Sequence, residues 1–123
     1  MTAQELFNRA MELLGYTDST GSAQLVNRMR SRKFTIINQV CSELYFAINP
    51  NGIYDRAYKD EDKINLPERI LNEVAPYGVA SYLASGEGDG ENMQYFTSIY
   101  NQKRAILSHF ENVIEGIPVG EDI

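Results

Sequence analysis

The apolar residues at the start of the chain repeat at the spacing of an α-helix. Thr2 and Glu5 are separated as in a capping box, in which each side chain bonds the backbone N–H of the other residue. Gly15 follows the apolar run and is a typical stop signal. The pattern predicts a first helix of about three turns. Its apolar positions are Leu6, Ala10, Leu13 and Leu14.

A second apolar stripe predicts a longer helix. Ser22 is a suitable cap, and the Asn-Pro-Asn-Gly sequence at 49–52 ends the pattern after Ile48. Such a helix would be roughly 39 Å long if it were unbroken, at 1.5 Å per residue. The stripe consists of Leu25, Met29, Ile36, Val40 and Leu44.

The segment from 53 to 66 lacks helical periodicity. Ile53, Tyr54 and Tyr58 precede a charged Lys-Asp-Glu-Asp-Lys run, and Ile64 and Leu66 follow it. Because apolar and polar positions alternate only imperfectly, the pattern fits either a short β-hairpin or an ordered loop.

A third helix is predicted from Pro67 to about Ala84, since proline at the first helical position gives up a donor that would lack a partner anyway. Pro76, in the middle of this helix, cannot donate to the carbonyl of residue 72, and Gly78 loosens the backbone further. We therefore expect a kink. It serves either to wrap the helix around a small core or to shape a subunit surface.

Residues 85–92 predict a tight connection to a fourth helix, antiparallel to the third. Gly86 suits the left-handed closing position, and Asp89 suits the cap of the helix that follows. The fourth helix is predicted to end near Gly116. Its apolar face is predicted to consist of Phe96, Ile99, Ile106, Phe110 and Val113.

Taken together, these patterns predict a mainly α fold. It is a small bundle of about four helices with a long second helix, a kinked third helix and a short β-hairpin or ordered loop near 53–66. A chain of 123 residues fits one domain. We expect a single helical domain over 1–115, which includes the insert at 49–66, and a flexible C-terminal tail over 116–123.

The residues at the start and the hydropathy of the chain bear on its location. The sequence MTAQELFNRAMELL is amphipathic, whereas a signal peptide would show an unbroken apolar run. No stretch approaches the roughly 20 apolar residues that cross a bilayer. Cys41 is the single cysteine, so no disulfide can form within the chain. We expect a protein of the cytoplasm, or of a particle assembled there, with no membrane partner.

Charge is distributed unevenly. The net charge is −6, with five basic and four acidic side chains in residues 1–48 but six basic and thirteen acidic in residues 49–123. The single basic cluster, RMRSRK, contains Arg28, Arg30, Arg32 and Lys33, and a helix would spread these over much of its circumference. This disfavours general nucleic-acid binding. A solvated face, or an edge that meets an acidic neighbour, fits better.

No residue pattern indicates catalysis, a metal or a cofactor. Cys41 and His109 are each alone of their type, and we expect Cys41 to be a small buried residue and His109 to lie at the surface or its boundary. Glu87, Asp89 and Glu91 alternate as in the start of a calcium loop. The twelfth position of that loop is Ser98, where calcium needs a bidentate glutamate. Nor does a lysine follow the glycines, as a phosphate cradle requires.

The stretch from Leu66 to Arg104 resembles the signature region of small head-completion, or head-to-tail connector, proteins of tailed bacteriophages and prophages. The resemblance covers about forty residues closely and the rest of the chain loosely. The chain differs at Pro76, where a helix former would be typical, and in a five-residue separation of its tyrosines. The matching residues are Leu66, Pro67, Gly78, Ala80, Leu83, the loop 86–90, Tyr95, Tyr100, Lys103 and Arg104.

The resemblance implies a structural role in virion assembly without catalysis. Such proteins form a homo-oligomeric ring, commonly of twelve copies, that docks on the portal of the capsid and receives the next connector or tail protein. DNA would pass through the ring without sequence-specific binding, and an acidic lining would discourage it from sticking. Two other interpretations remain open: a helical protein–protein adaptor of a bacterial complex, and a helical DNA-binding regulator that reads DNA through RMRSRK.

On this interpretation we expect the subunit or portal interface to draw on three regions. The segment 53–64 and the tail could become ordered on docking. The interface residues we predict are Arg30, Arg32, Lys33, Ile53, Tyr54, Tyr58, Ile117 and Val119, with Pro76 and Gly78 at the structural kink.

Overall fold

The fold is mainly helical, as the sequence predicts. A computed structural model describes residues 1–16 and 23–107, and within these ranges there are six helices and no strand. The helices are α1 (Ala3–Leu14), α2 (Ala23–Ser31), α3 (Lys33–Ile48), α4 (Glu68–Glu73), α5 (Ala75–Gly86) and α6 (Gly90–Arg104).

Helix α5 lies at the centre of the bundle. It packs against α1, α3, α4 and α6, and most of its residues are buried. This explains why the sequence of α5 is rich in small residues, because a helix surrounded by others needs close approach on several sides. The largest fully buried side chains of the described residues include Leu6, Met29, Ile37, Leu44, Leu71, Leu83 and Leu107.

Helix α1 begins and ends where the sequence predicts. The backbone N–H of Glu5 donates to the Thr2 hydroxyl at 3.1 Å, and the backbone N–H of Thr2 donates to the Glu5 carboxylate at 2.8 Å, which completes the capping box. Gly15 has a φ of 75° and closes the helix in the left-handed conformation. The local signals at both ends are therefore confirmed.

The prediction of one long second helix is wrong, because the chain breaks at Arg32 into α2 and α3. The Ser31 hydroxyl donates to the Arg28 carbonyl at 2.7 Å, a local bond that competes with continued helix. The break turns neighbouring side chains in different directions. Arg32 extends to Glu87 in the α5–α6 connection, and the Lys33 amine lies 5.1 Å and 5.4 Å from the ring centres of Phe7 and Phe34.

The third predicted helix is likewise two helices. Instead of a kink at Pro76, the chain breaks at Val74, whose φ of −120° and ψ of −52° separate α4 from α5. Pro76 thereby falls in the first turn of α5, where its missing N–H leaves no hydrogen bond unmade. The sequence located the interruption to within two residues, and the structure gives it the form of a one-residue break.

The predicted β-hairpin does not form, and the alternative, an ordered loop, is what the structure shows over 49–66. The two arms of the expected hairpin pair with different partners. Ala57 pairs with the side chain of Asn38, whereas residues 60–64 pair with residues 1–4. A single antiparallel bridge joins Thr2 to Lys63.

The α5–α6 connection is a tight antiparallel one, as predicted. Asp89 caps α6 by accepting from the backbone N–H of Asn92. Gly86 is not the closing residue, since it is the last residue of α5 and Gly88 adopts the left-handed φ of 72°. Two local signals therefore lie in the right loop, and one of them is shifted by two residues.

Helix α6 buries a different set of side chains from the predicted one. Phe96 is buried and Ile99 is half-buried, but Ile106 is 49% exposed, and Tyr100 takes a core position that the apolar pattern did not assign to it. The helix ends at Arg104, earlier than predicted. Phe110, Val113 and Gly116 lie outside the described residues.

Candidate docking surface

Two large apolar side chains project into solvent from the ordered segment 53–58. Ile53 is 80% exposed and Tyr58 is 70% exposed, the two highest values among the exposed large hydrophobic side chains of the described residues. The Arg56 guanidinium lies 5.9 Å from the centre of the Tyr58 ring. Isolated exposed apolar residues are common, but two on one short segment held against the core form a candidate contact surface. We call Ile53 and Tyr58 the docking pair.

The buried side chain of Asn38, on α3, holds this segment in place. Its amide nitrogen donates to the Ala57 carbonyl at 2.9 Å, and its amide oxygen accepts from the Ala57 N–H at 2.9 Å and from the Tyr54 hydroxyl at 2.8 Å. The side-chain amide thus pairs with both backbone groups of residue 57, as a neighbouring strand would. Asn38 and Ala57 are both buried, so these bonds are shielded from competing water.

The next turn is held by the Asp62 carboxylate. It accepts from the backbone N–H groups of Tyr58 at 2.8 Å and Lys59 at 3.0 Å. These hydrogen bonds favour the ionised carboxylate and lower its pKa below the ordinary value. The backbone N–H of Tyr58 is therefore already paired, and the side chain projects from a fixed turn.

Residues 1–4 anchor the far end of the segment. The N–H of Ala3 donates to the Asp62 carbonyl at 2.9 Å, and the N–H of Gln4 donates to the Asp60 carbonyl at 3.0 Å. In return, the N–H of Ile64 donates to the Met1 carbonyl at 3.1 Å. With anchors at 57, 58–59 and 60–64, the segment has a set conformation in the chain by itself. That docking could order 53–64 further stays a prediction, but these anchors do not need a partner.

Lys33, one of the predicted interface residues, is a buried structural residue. Its amine contacts Asp60 at 2.7 Å and the Gln4 side-chain oxygen at 2.7 Å, and it lies 5.1 Å from the centre of the Phe7 ring. The apolar stem is buried among these groups while the charge is paired. Lys33 binds Asp60 of the loop 49–66 from the buried side and does not contribute to an exposed surface.

The other basic residues of RMRSRK point to different places. Arg28 and Arg32 both donate to the Glu87 carboxylate, at 2.9 Å and 3.0 Å, whereas Arg30 is exposed. The hydrogen bond from Arg28, with the charges of both arginines, lowers the pKa of Glu87. The acidic neighbour that the sequence predicted for this edge is therefore in the same chain. No coherent basic face exists within the described part of the cluster.

The aromatic rings that contact Tyr45 were only partly predicted. Tyr54, predicted at the interface, is half-buried, with its ring centre 5.9 Å from that of Tyr45. Phe46 packs edge-on against Tyr45 at 5.3 Å and is itself exposed. Sequence reasoning missed Phe46 because it lies off the apolar stripe of α3. An aromatic residue outside the apolar stripe indicates an exposed ring, and this signal could have identified Phe46.

A second polar cluster, around Glu43, also went unpredicted. The Glu43 carboxylate accepts from the Tyr100 hydroxyl at 2.9 Å and the Tyr82 hydroxyl at 3.2 Å, and Arg104 contacts it at 3.4 Å. Burial, then the nearby carboxylate, raises the pKa of both tyrosines. Because these residues come from three helices, the cluster ties α3 to the α5–α6 pair. Its side chains are engaged with one another, which indicates a structural role.

The residues predicted at the kink have internal roles. Pro76 is fully buried, and Gly78 faces the ring of Tyr100, where an added Cβ would lie 2.7 Å from a ring carbon. This close approach explains the need for glycine at 78. Neither residue presents a surface to a second subunit. The predicted tail residues Ile117 and Val119 lie outside the described residues, as does His109.

The thiol and the carboxylates that could carry out chemistry or bind a metal are buried or paired within the chain. Burial raises the pKa of the Cys41 thiol to about 12, so it is protonated at neutral pH. Asp89 accepts hydrogen bonds from Tyr16 and Asn92, and Glu87 is paired with arginines. Among the described residues, no group of three or more His, Cys, Asp or Glu side chains could hold a metal ion.

Comparison with known proteins gives no relative. No family model matches the sequence, and neither the curated proteins nor the solved structures contain a match. In the part of the chain that the structure describes, none of the helices has the length and apolar character needed to cross a membrane.

Proposed function

We propose that the chain is a head-to-tail connector subunit of a tailed bacteriophage or prophage, which forms a ring on the portal and joins the capsid to the tail. The observation that carries the proposal is the docking pair on a preformed segment. Ile53 and Tyr58 project from a loop that bonds Asn38 of α3 and residues 1–4 and whose own turn is held by Asp62. The resemblance of residues 66–104 to connector proteins supplies the identity of the partner.

The physical role follows from the geometry of this segment. Apolar and aromatic side chains are the typical anchors of protein interfaces when they enter a pocket of the partner. Two such side chains bury far less than the roughly 1,200–2,000 Å² of a stable interface. Each subunit would therefore bind the portal weakly by itself, and several copies held side by side in a ring would strengthen the attachment through multivalency.

The DNA-binding regulator loses its main support. It would need RMRSRK as a recognition surface, but Arg28 and Arg32 are paired with Glu87 and Lys33 is buried. Arginines that are already paired with a carboxylate of the same chain neutralise few DNA phosphates and therefore release few counterions. A helical adaptor of a bacterial complex would need the same fold and the same exposed surface as a connector. Binding to the portal distinguishes the two functions.

The test compares portal binding of the wild-type chain with that of the double variant Ile53→Ser, Tyr58→Ser. Because both side chains are exposed, the variant is expected to fold with unchanged thermal stability but to lose portal binding by at least about tenfold. The matched control is Ile106→Ser, which removes another exposed isoleucine, just beyond the end of α6. Equal portal binding by wild type and double variant would contradict the proposed surface.

A further inference from the structure

One buried side chain bonds the chain next to each residue of the docking pair. Asn38 bonds Tyr54 and Ala57, and Ile53 directly precedes the first of these whereas Tyr58 directly follows the second. The two exposed apolar side chains therefore leave the chain on either side of the same buried anchor. No other described side chain bonds the segment at both places.

We infer that Asn38 is a positioning residue for docking. It does not touch the partner, and it sets the affinity by holding Ile53 in the conformation in which it binds, beside a Tyr58 whose backbone Asp62 holds. This inference rests on the proposed function, since the partner is the portal. The portal surface that fits is a preformed apolar one, because a rigid pair of side chains suits pockets already at the right separation.

The physical reason is preorganisation. A segment already ordered in the free protein loses little conformational entropy on binding, whereas a mobile one must be ordered by the partner at the cost of affinity. The hydrogen bonds of Asn38 are made in the free chain. Removing them transfers the ordering cost to the binding step.

The contribution of Asn38 is separable from that of the neighbouring anchors. Residues 58–64 are held by the Asp62 carboxylate and by residues 1–4, none of which involves Asn38. Loss of the Asn38 amide therefore releases residues 53–57 and leaves the remainder of the loop in place. The expected disorder is local and includes one member of the docking pair directly.

The experiment measures portal affinity, melting temperature and amide hydrogen exchange for three variants. Asn38→Ala removes all three bonds, and Tyr54→Phe removes the hydroxyl bond alone while keeping the ring. Val79→Ala is the control, since Val79 is fully buried in α5 and makes none of these contacts. It should lower the melting temperature without disturbing the segment.

We expect Asn38→Ala to raise the Kd for the portal about tenfold and to speed exchange of the Ala57 amide. Tyr54→Phe should raise the Kd about threefold, and it tests the inference even if Asn38→Ala fails to fold. Val79→Ala should change the Kd less than about twofold despite its lower melting temperature. A Kd that follows melting temperature across all three variants would assign Asn38 a purely structural role.

The failure of this inference can be told apart from failure of the proposed function. If the wild-type chain ignores the portal, the proposed function is wrong and the inference falls with it. If the wild type binds and the Ile53→Ser, Tyr58→Ser variant does not, the function stands. An unchanged Kd for Asn38→Ala and Tyr54→Phe in that case overturns the inference alone.

Discussion

The guanidinium of Arg32 occupies the space that a side chain at Gly86 would need. An ideal Cβ on Gly86 would lie 1.6 Å from Nη1 of Arg32, whose other terminal nitrogen donates to Glu87 at 3.0 Å. Since Arg32 lies at the break between α2 and α3, this contact ties that break to the last turn of α5. Glycine at 86 therefore makes room for an ion pair and does not serve as a left-handed closing residue.

The two glycines of this connection should respond differently to alanine. In Gly86→Ala, the flexible Arg32 side chain can move aside, so loss of a partly exposed ion pair worth up to about 1 kcal/mol is offset by the better helix propensity of alanine. The free energy of unfolding should change by less than about 0.5 kcal/mol. Gly88→Ala should cost about 1–2 kcal/mol, because φ at 88 is 72°.

Urea denaturation of both variants measures this difference. Nothing lies within 4 Å of a Cβ added at Gly88, so its cost would come from the backbone alone. A loss for Gly86→Ala as large as for Gly88→Ala would mean that Arg32 is held rigidly in place.

The two tyrosines that donate to Glu43 should differ in their contribution to stability. Tyr100 is 4% exposed and Tyr82 is 38% exposed. Tyr100→Phe removes a buried hydrogen bond to a carboxylate and should lower the free energy of unfolding by about 1–2 kcal/mol. Tyr82→Phe, the matched control, should cost less than about 0.5 kcal/mol because water can replace its bond. Equal losses on urea denaturation would contradict the structural role assigned to this cluster.

Acid should weaken the contacts of the α5–α6 connection. The hydrogen bond from the Tyr16 hydroxyl, with those from Asn92, lowers the pKa of Asp89, and that from Arg28 lowers the pKa of Glu87. A lowered pKa in the folded chain adds stability at neutral pH, and this stability is lost as the pH falls through the folded-state pKa. The free energy of unfolding should therefore decline below about pH 4.

Asp89→Asn tests the cause of this decline. Asparagine still caps α6 but has no charge to lose, so the fall in stability between neutral and acid pH should be shallower than in the wild type. Glu61→Gln, which removes an exposed charge from the loop at 49–66, is the control and should leave the pH profile unchanged. An Asp89→Asn profile that parallels the wild type would assign the acid response to other groups.

Local signals in the sequence were reliable where a residue bonds a backbone group close to it in the sequence. The Thr2–Glu5 capping box, the stop at Gly15 and the cap at Asp89 each involve partners within four residues, and each is confirmed. The mainly α fold followed from the same kind of local periodicity. These contacts depend on spacing, which a sequence displays directly.

Contacts between distant residues were beyond the sequence. Asn38 bonds Ala57 across 19 positions, and Gly78 faces Tyr100 across two helices. A buried asparagine on an otherwise apolar helix carries no sign of which backbone it will pair with. The break at Arg32 was also missed, and the distant partners of Arg32 and Lys33, Glu87 and Asp60, could not be read from the local sequence.

The sequence pattern could indicate the exposure of two predicted interface residues, Ile53 and Tyr58. Ile53 and Tyr58 lie in an irregular, highly charged stretch, where apolar residues have no helix face to join. Lys33 looked like a member of a basic cluster and proved to be buried, because its partners Gln4 and Asp60 come from separate parts of the chain. The local sequence shows charge but not burial.

The most direct test of the connector function is the mass of the purified chain, alone and after mixing with the portal complex encoded in the same genome. Native mass spectrometry or light scattering would report it. The proposed function predicts that a ring of copies adds to the portal in fixed stoichiometry and that Ile53→Ser, Tyr58→Ser weakens the addition by at least about tenfold. A chain whose mass is unchanged by the portal would contradict the connector function and leave the helical adaptor as the better account.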